Sequence, residues 1–308
     1  MNLQIIIPLF EFEYIGENKS LNEMFIDGSK FHENLKEYVF DEQYNFRLVK
    51  YSYEDYSELE IDTLSKIDCD RLHYSNWGLL FECEKERLDE YKQKINLLLL
   101  AFRIIKQSDV QIKYLICINF PYLSIKYPDD WKYAIAESRI KRNAEAINKF
   151  ELENVLDGYF KLKEFLNVSY RTSHAVNFLF LSYTSFYWME IFLLLMTALE
   201  TLVSPDKKDK IVSEVTQRVV CLINNKELCN KSKFQKIYDL RSDIIHGKVL
   251  VELNFQKELP RLQQLQKIVL ETFNILLNSS YKEIYKDEYS KEDFYKKITS
   301  NEKLEKHL

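Results

Sequence analysis

The sequence predicts two domains, an α+β domain over residues 1–157 followed by an all-helical bundle over residues 158–308. Only five glycines and five prolines occur in 308 residues, and so few chain breakers favour long helices over many short strands. Short apolar runs rich in strand-forming residues lie within the first 120 residues. Beyond the boundary, apolar residues recur at spacings of three and four, which is the helical period.

The first domain combines strands with at least one helix. Pro8 lies in the first apolar run, Leu3–Phe10, so we expect that strand at an edge or terminus. The second run, residues 46–53, could pair with it. From Glu84 to Ile105 the apolar spacing predicts a helix. A second helix is expected over Trp131–Phe150; its basic middle could face phosphate, but a solvated helix face is the simpler interpretation. Four runs are predicted strands: Leu3–Phe10, 46–53, Trp77–Cys83 and Ile112–Ile118.

The boundary is placed at Asp157–Gly158, because Gly158 is the only glycine between positions 79 and 246. Gly247 stands where helix C-termini favour glycine. The Lys-, Tyr- and Glu-rich tail from Tyr281 onward is expected to form a peripheral helix with frayed ends. Five segments beyond the boundary have helical spacing: Tyr159–Val168, Ser173–Val203, Lys210–Ile223, Phe234–Ile245 and Leu259–Leu277.

The apolar stretch Phe178–Leu199 is long enough to cross a bilayer. Glu190 lies near its middle, where a carboxylate is costly in lipid, and no basic bias flanks it. We therefore expect a buried core helix and no stable membrane association, with a membrane-associated sensor as the alternative. The N-terminus lacks the pattern of a signal peptide.

Charge and cysteine content exclude several classes of protein. The net charge of −5 divides into −6 for residues 1–150 and +1 for residues 151–308, so neither half is the basic body of a non-specific nucleic-acid coat. The five cysteines are odd in number and show no Cys-x2-Cys spacing, which predicts a cytoplasmic protein without a zinc site or a disulfide framework.

The residues with the clearest chemical potential are Arg241 and His246, an Arg-x4-His motif near the end of a predicted helix. Two residues that are five positions apart on a helix lie roughly 140° apart around its axis. The flexible side chain of an arginine can still reach the side that the histidine faces. The last helical turn favours a protonated imidazole. Asp243, three residues before His246, could orient the ring or raise its pKa.

This pair suits RNA transesterification. A histidine that titrates near neutrality can take the proton of a ribose 2′-hydroxyl or protonate the leaving 5′-oxygen. A guanidinium is a planar donor for the phosphorane formed in between. No metal or other cofactor is expected, and a substrate without the 2′-hydroxyl could not react, which predicts RNA over DNA.

Two further charged residues are candidates for support inside the bundle. Glu200 follows an apolar turn, where a carboxylate is costly unless paired; we expect it to meet Arg218 or Arg241, the alternative being a helix-end residue that reaches water. Arg218 is interpreted as a structural partner of that carboxylate rather than a phosphate ligand. The four other histidines have no carboxylate or cysteine at ligand spacing and are treated as surface or core residues: His32, His73, His174 and His307.

Three segments in this order resemble the HEPN superfamily, particularly its Apea-like branch. Thr197–Leu202 (TALETL) is similar to the family's A-x-E-x-L helix end, and Gln217–Val219 (QRV) to its x-R-hydrophobic segment. Tyr238–Gly247 (YDLRSDIIHG) is close to the branch pattern Y-x-x-R-S-x-I-x-H-G. The resemblance covers residues 158–280 and differs from many active members at Ser242, although Apea-like members commonly have serine there.

The resemblance implies a helical bundle that dimerises and brings two Arg-x4-His motifs into one RNase cleft. It implies that Arg241 and His246 are the catalytic pair, with Asp243, Ser242, Glu200, Arg218 and Tyr238 in support: an endoribonuclease toxin or anti-phage effector, with an antitoxin or phage-derived trigger as a further partner. Some HEPN domains are catalytically silent, so an RNA- or protein-binding module is the alternative.

Overall fold

The computed structural model describes residues 2–10, 12–16, 38–41, 46–50, 77–106, 110–112, 114–117, 125–126, 145–185, 187–205, 211–249 and 255–300. The chain divides into two compact units, and the division falls inside a helix, between Tyr159 and Phe160.

The first unit is built on an antiparallel sheet. Its strand order is β3-β4-β5-β1-β7-β8, and β6 also pairs with β1; β2 and β9 pair separately and in parallel. The strands are β1 Asn2–Phe10, β2 Phe12–Gly16, β3 Tyr38–Asp41, β4 Phe46–Lys50, β5 Trp77–Glu84, β6 Gln111–Ile112, β7 Tyr114–Cys117, β8 Ile125–Lys126 and β9 Glu145–Asn148.

Strand β1 lies in the interior of the sheet, so its expected edge position was wrong. One side pairs with β5 in continuous register, with Ile5 opposite Phe81 and Ile7 opposite Leu79, and all four side chains are buried. On the other side, β7 pairs with residues 5 and 6 and β6 with residues 9 and 10. Pro8, which has no N–H to donate, lies between these two pairings, and this explains its tolerance in an interior strand.

Two other expectations for the first unit were also wrong. Strand β4 pairs with β3 and β5 rather than with β1. The expected helix over Trp131–Phe150 does not include residues 145–148, which form β9 against β2. The basic middle of that segment lies outside the described residues.

The predicted helix after β5 is confirmed. It comprises a 3-10 turn at Lys85–Arg87, helix α1 at Leu88–Ala101 and a π-helical turn at Phe102–Lys106. Tyr91 of α1 stacks on Phe81 of β5, with ring centroids 5.0 Å apart. The helix therefore covers the sheet with the apolar face that its sequence spacing predicted.

Helix α2, Lys149–Phe165, passes through Asp157–Gly158, where the domain boundary was placed, so the helix expected to begin at Tyr159 begins earlier, at Lys149. Its start is fixed by a reciprocal pair of hydrogen bonds: the backbone N–H of Asn148 donates to Glu151 Oε2 (3.0 Å), and that of Glu151 to Asn148 Oδ1 (2.9 Å). Gly158 is needed for close packing rather than for a turn. A Cβ atom there would lie 2.5 Å from Ile105 Cγ1.

Every element described beyond Phe160 is helical. Helix α3 is capped by Ser169 and Thr172, whose side chains and backbone N–H groups bond reciprocally. Phe165 of α2 makes edge contacts with Phe273, Tyr281 and Tyr285, which form part of the core. The helices are α3 Tyr170–Thr184, α4 Trp188–Val203, α5 Ile211–Ile223, α6 Lys231–Ile245, α7 Phe255–Leu277, α8 Tyr281–Ile284 and α9 Glu288–Thr299.

The apolar stretch Phe178–Leu199 was expected to form one helix. That expectation was wrong, because the stretch belongs to two helices that pack on each other. Helix α3 ends at Thr184, and Ser185 donates to the exposed Glu190 carboxylate in the first turn of α4 (2.6 Å). This hydrogen bond joins the residue after α3 to the first turn of α4 at the surface. Among the described residues, none of the helices has the length and apolar character needed to span a membrane.

The described part of the C-terminal tail, residues 281–300, contributes one face to the core and is not a peripheral helix. Tyr295 of α9 is fully buried and Lys291 is 1% exposed. Tyr285 and Tyr295 share a hydrogen bond between their hydroxyls (3.0 Å). The prediction of a peripheral helix followed the many charged residues of this tail. It overlooked the helical spacing of the residues that are buried in α9: Lys291, Phe294, Tyr295 and Ile298.

The packing at Gly158 gives a stability prediction with a definite sign. Glycine to alanine inside a helix ordinarily stabilises by about 1 kcal/mol, but here the added methyl overlaps Ile105. We expect Gly158→Ala to lower the free energy of unfolding by about 1–3 kcal/mol, measured by urea denaturation. The double variant with Ile105→Ala should lose less stability than the sum of the two single changes; additive losses would contradict the proposed overlap.

Candidate functional site

Helix α6 ends in a geometry that fixes the position of His246. Gly247 has a φ of +66°, the left-handed conformation that glycine adopts without strain. Its N–H donates to Ile244 O (3.1 Å), and the N–H of Lys248 donates to Asp243 O (2.8 Å). This is the Schellman arrangement, with His246 as the last residue before the left-handed glycine. The expectation of Gly247 at a helix C-terminus is confirmed.

Glu200, at the end of α4, joins α4 to α6 by accepting two hydrogen bonds. Arg241 Nη2 donates to Glu200 Oε2 (3.1 Å), and the Tyr238 hydroxyl donates to Glu200 Oε1 (2.6 Å). The Glu200 side chain is 18% exposed and that of Arg241 33%. The expected pairing of Glu200 with Arg241 is therefore confirmed, and the motif arginine has a fixed position at the edge of the bundle.

Tyr238 acts as a neutral donor in this group. Burial raises the pKa of its hydroxyl, and the negative charge of Glu200 raises that pKa further, far above the ordinary value of tyrosine. Its ring also faces the guanidinium carbon of Arg241 at 5.9 Å. Tyr238 thus contacts both charged partners and favours a single orientation of Arg241.

The remaining motif residues lie on the exposed side of the α6 end. His246 and Ser242 are exposed. Asp243 was expected to orient the imidazole, but among the described contacts its carboxylate pairs with Lys248 Nζ at 3.5 Å. Since Lys248 lies just beyond the left-handed glycine, the Schellman turn brings the lysine back toward Asp243. The structure leaves His246 without a described side-chain hydrogen bond.

Arg218 does not pair with Glu200, so that expectation was wrong. Its guanidinium forms two hydrogen bonds with the Glu292 carboxylate of α9 (3.0 and 2.5 Å) and lies over the ring of Tyr295 at 5.0 Å. Arg218 is 7% exposed. Its role is to join α5 to α9, and the sequence could not reveal this because Glu292 lies 74 residues away in the chain.

The C-terminal turn of α4, which contains Glu200, has its free carbonyls capped by side chains from four parts of the bundle. Helix ends leave such carbonyls without intrahelical partners, and cationic donors also offset the helix dipole. We refer to these four donors as the α4 cap cluster: Arg171 to Thr201 O (2.9 Å), Tyr285 to Leu202 O (3.3 Å), Arg218 to Val203 O (3.1 Å) and Lys291 to Ser204 O (3.0 Å).

Carboxylates balance the charges of the α4 cap cluster. Glu288 accepts from Arg171 (3.0 Å) and pairs with Lys291 (2.6 Å), while Glu292 pairs with Arg218. Sequence reasoning missed all of these residues except Arg218. The sequence did contain one sign that Lys291 is buried. Lys291 precedes Phe294 and Tyr295 by three and four positions, so it lies on the apolar face of its helix.

Glu200 also borders an open groove of about 490 Å³. The groove is formed by the start of α3, the end of α4 and the start of α9. Glu200 therefore links the groove to Arg241. The residues that line it are Tyr170, Arg171, His174, Thr197, Glu200, Thr201, Ser204 and Glu288.

Within the described ranges, no three His, Cys, Asp or Glu side chains are grouped so as to hold a metal ion.

Cys83, Cys221 and Cys229 are free thiols, and burial raises the pKa of Cys229 to about 12. His32, His73 and His307 lie outside the described residues, while His174 lines the groove.

No protein-family profile, curated protein or solved structure matches this chain. The resemblance stated above therefore depends on its three motif segments alone.

The contact between Glu292 and Arg218 predicts a pH dependence of stability. Burial opposes ionisation of Glu292, but the hydrogen bonds and charge of Arg218, helped by Lys291, outweigh it and lower the carboxyl pKa below its ordinary 4.5. A lowered folded pKa means that the stabilisation is present above about pH 4.5 and is lost as the pH falls through the folded value.

We therefore expect Glu292→Gln to be less stable than the parent at pH 7, with the difference shrinking between pH 5 and pH 3. Thermal unfolding across that range measures it. Asp239→Asn, on the exposed face of α6, is the matched control. A difference that stays constant with pH would contradict the assignment.

Proposed function

We propose that this protein is a metal-independent endoribonuclease that acts as a homodimer in the cytoplasm, as a toxin or anti-phage effector of the HEPN type. The observation that supports it best is the orientation of Arg241 by Glu200 and Tyr238 at the same helix end that presents His246. A guanidinium that is one-third exposed and held by Glu200, together with an exposed imidazole, supplies the two groups that RNA transesterification requires.

The proposed reaction uses these groups in defined roles. His246 takes the proton of a ribose 2′-hydroxyl, and the resulting oxyanion attacks the adjacent phosphorus. Arg241 donates hydrogen bonds to the phosphorane oxygens as negative charge develops there. The bond to the 5′-oxygen breaks as the proton that His246 accepted is transferred to that oxygen, which leaves a 2′,3′-cyclic phosphate, a free 5′-hydroxyl and a neutral imidazole.

A dimer is part of the proposal because the two groups diverge within one chain. Five positions on a helix place them roughly 140° apart, and Glu200 holds Arg241 toward α4. A two-fold contact between α6 ends would add a second pair to the same cleft. Ile245, next to His246, is 52% exposed, which provides an apolar surface for such a contact.

We expect His246→Ala to slow RNA cleavage roughly 100- to 10,000-fold, since it removes the proton acceptor. Arg241→Ala should slow it about 100- to 1,000-fold. Cleavage of labelled single-stranded RNA at pH 7, resolved on denaturing gels, measures both. Lys248→Ala, which removes an exposed cation from the same turn, is the matched control and should retain activity.

EDTA should leave the rate unchanged, and a DNA oligonucleotide of the same sequence should remain intact. Unaltered cleavage in both the His246 and Arg241 variants would refute the assignment, as would loss of all activity on chelation.

One observation favours the alternative, a catalytically silent RNA- or protein-binding module. Glu200 already neutralises Arg241, as it would for a purely structural arginine. In that case the parent protein binds RNA but cleaves none of a varied set of single-stranded and structured RNAs. Intact RNA together with retained binding would support the module and exclude the enzyme.

The dimer gives a separate prediction. Ile245→Asp places two carboxylates in the proposed two-fold contact and should weaken the dimer by roughly 100-fold or more. Light scattering should then give the mass of one 37.1 kDa chain, while the parent gives twice that mass. Leu181→Asp, at a leucine that is 44% exposed at the other end of the α3–α4 pair, should remain dimeric. A parent that is monomeric at working concentration would contradict the composite site.

A further inference from the structure

The groove beside Glu200 has features that the proposed cleavage chemistry does not use. Tyr170 is 89% exposed and His174, one helical turn further along α3, is also exposed. Phe178 follows after another turn, and its ring makes an edge contact with that of His174 at 6.3 Å between centroids. Residues four apart share a helix face, so three flat rings form a stripe that starts in the groove.

The exposure of this stripe is energetically unusual. A tyrosine buries a large apolar ring in most folded proteins, whereas the Tyr170 ring projects from the first position of α3. Tyr289, the other strongly exposed tyrosine described in this unit, at 82%, does not line the groove. An exposed ring that borders a groove can provide a face on which a planar group stacks.

The charges in the groove favour a neutral ligand. Glu288 accepts from Arg171 (3.2 and 3.0 Å), and Glu200 accepts from Arg241. Glu288 also pairs with Lys291, which is itself shared with Glu292. Each carboxylate of the groove therefore has a cationic partner, so neither a phosphate nor a cation is attracted strongly. A nucleobase is neutral and planar, and its N–H groups can donate to the hydroxyl oxygens of Thr197, Thr201 and Ser204 at the groove wall. The hydroxyl protons of Thr197 and Thr201 are already donated to carbonyls of α4, so these two side chains act as acceptors.

We propose that the groove formed by the ends of α3, α4 and α9 is a base-binding subsite for single-stranded RNA, in which one base stacks on Tyr170 and His174. This subsite extends the proposed function, because Glu200 lies between the groove and Arg241. A base held on one side of Glu200 places the adjoining backbone toward the guanidinium on its other side. The groove would then select the nucleotide next to the cleaved bond.

The test measures binding separately from cleavage. Each variant is made in the His246→Ala background, and binding of fluorescein-labelled oligo(A), oligo(U) and oligo(C) RNA is followed by anisotropy at low salt. We expect Tyr170→Ala to raise the Kd for the preferred oligomer roughly 5- to 100-fold, and His174→Ala to raise it at least several-fold. Tyr170→Phe should bind like the parent, because the ring and not the hydroxyl provides the stacking face.

Tyr289→Ala is the matched control, since it removes an equally exposed tyrosine outside the groove. Circular dichroism checks that every variant is folded. The proposal is overturned if Tyr170→Ala binds all three oligomers like its parent, if Tyr289→Ala loses as much affinity as Tyr170→Ala, or if the parent binds none of them.

The outcomes for this subsite and for the proposed function are distinguishable. Binding that depends on Tyr170 in a protein whose wild-type form cleaves no RNA would support the subsite and refute the ribonuclease. Cleavage that depends on His246, with Tyr170→Ala unchanged in RNA affinity, would support the ribonuclease and refute the subsite.

Discussion

The capping of the α4 C-terminus is the interaction on which the helical unit depends. Four successive carbonyls, from Thr201 to Ser204, receive donors from α3, α5, α9 and the residue after α8. A helix end buried without such donors would be strongly destabilised. Because the donors come from separate helices, satisfying one helix end also fixes how those helices pack around it. Glu200 lies in this same turn, so the positions of Arg241 and of the groove depend on the cap.

The arrangement is stable only as a whole. Lys291 and Arg218 are almost fully buried, and each requires a carboxylate as well as a carbonyl. Removing one partner from such a network leaves a buried charge uncompensated, which costs more than the pair contributes. We infer that the tail helix α9, despite its charged sequence, belongs to the same folding unit as α4. A truncation before residue 288 would expose the cap and disturb Glu200 together with it.

The sequence predicted the parts of the fold that depend on local patterns. Helix α1, helices α5 and α6 and the glycine after His246 follow from apolar spacing and from the conformational freedom of glycine. The errors concern non-local contacts. Pro8 indicated an edge strand because proline has no N–H to donate to a neighbouring strand. The sequence of β1 could not show that Pro8 would lie in the gap between the pairings of β6 and β7. Gly158 was used only to place a domain boundary, and its close packing against Ile105 could not be predicted from the sequence. Arg218 was assigned to Glu200 because a carboxylate after an apolar turn requires a cation, but its guanidinium forms two hydrogen bonds with Glu292 in the tail.

The position of Arg241 bears on whether a paired arginine can still act on RNA. Within the described part of the chain, its side-chain hydrogen bonding is the single bond from Nη2 to Glu200. A guanidinium has five N–H donors, so most remain for a phosphate while Glu200 and Tyr238 hold the plane in place. Such an arginine loses little conformational entropy when it binds an oxyanion, and electrostatic catalysis requires this kind of fixed donor. The carboxylate of Glu200 reduces the positive potential around Arg241 at long range, but it also favours one orientation of the guanidinium. In the proposed ribonuclease, stacked bases would supply the affinity and Arg241 would act on the phosphorane.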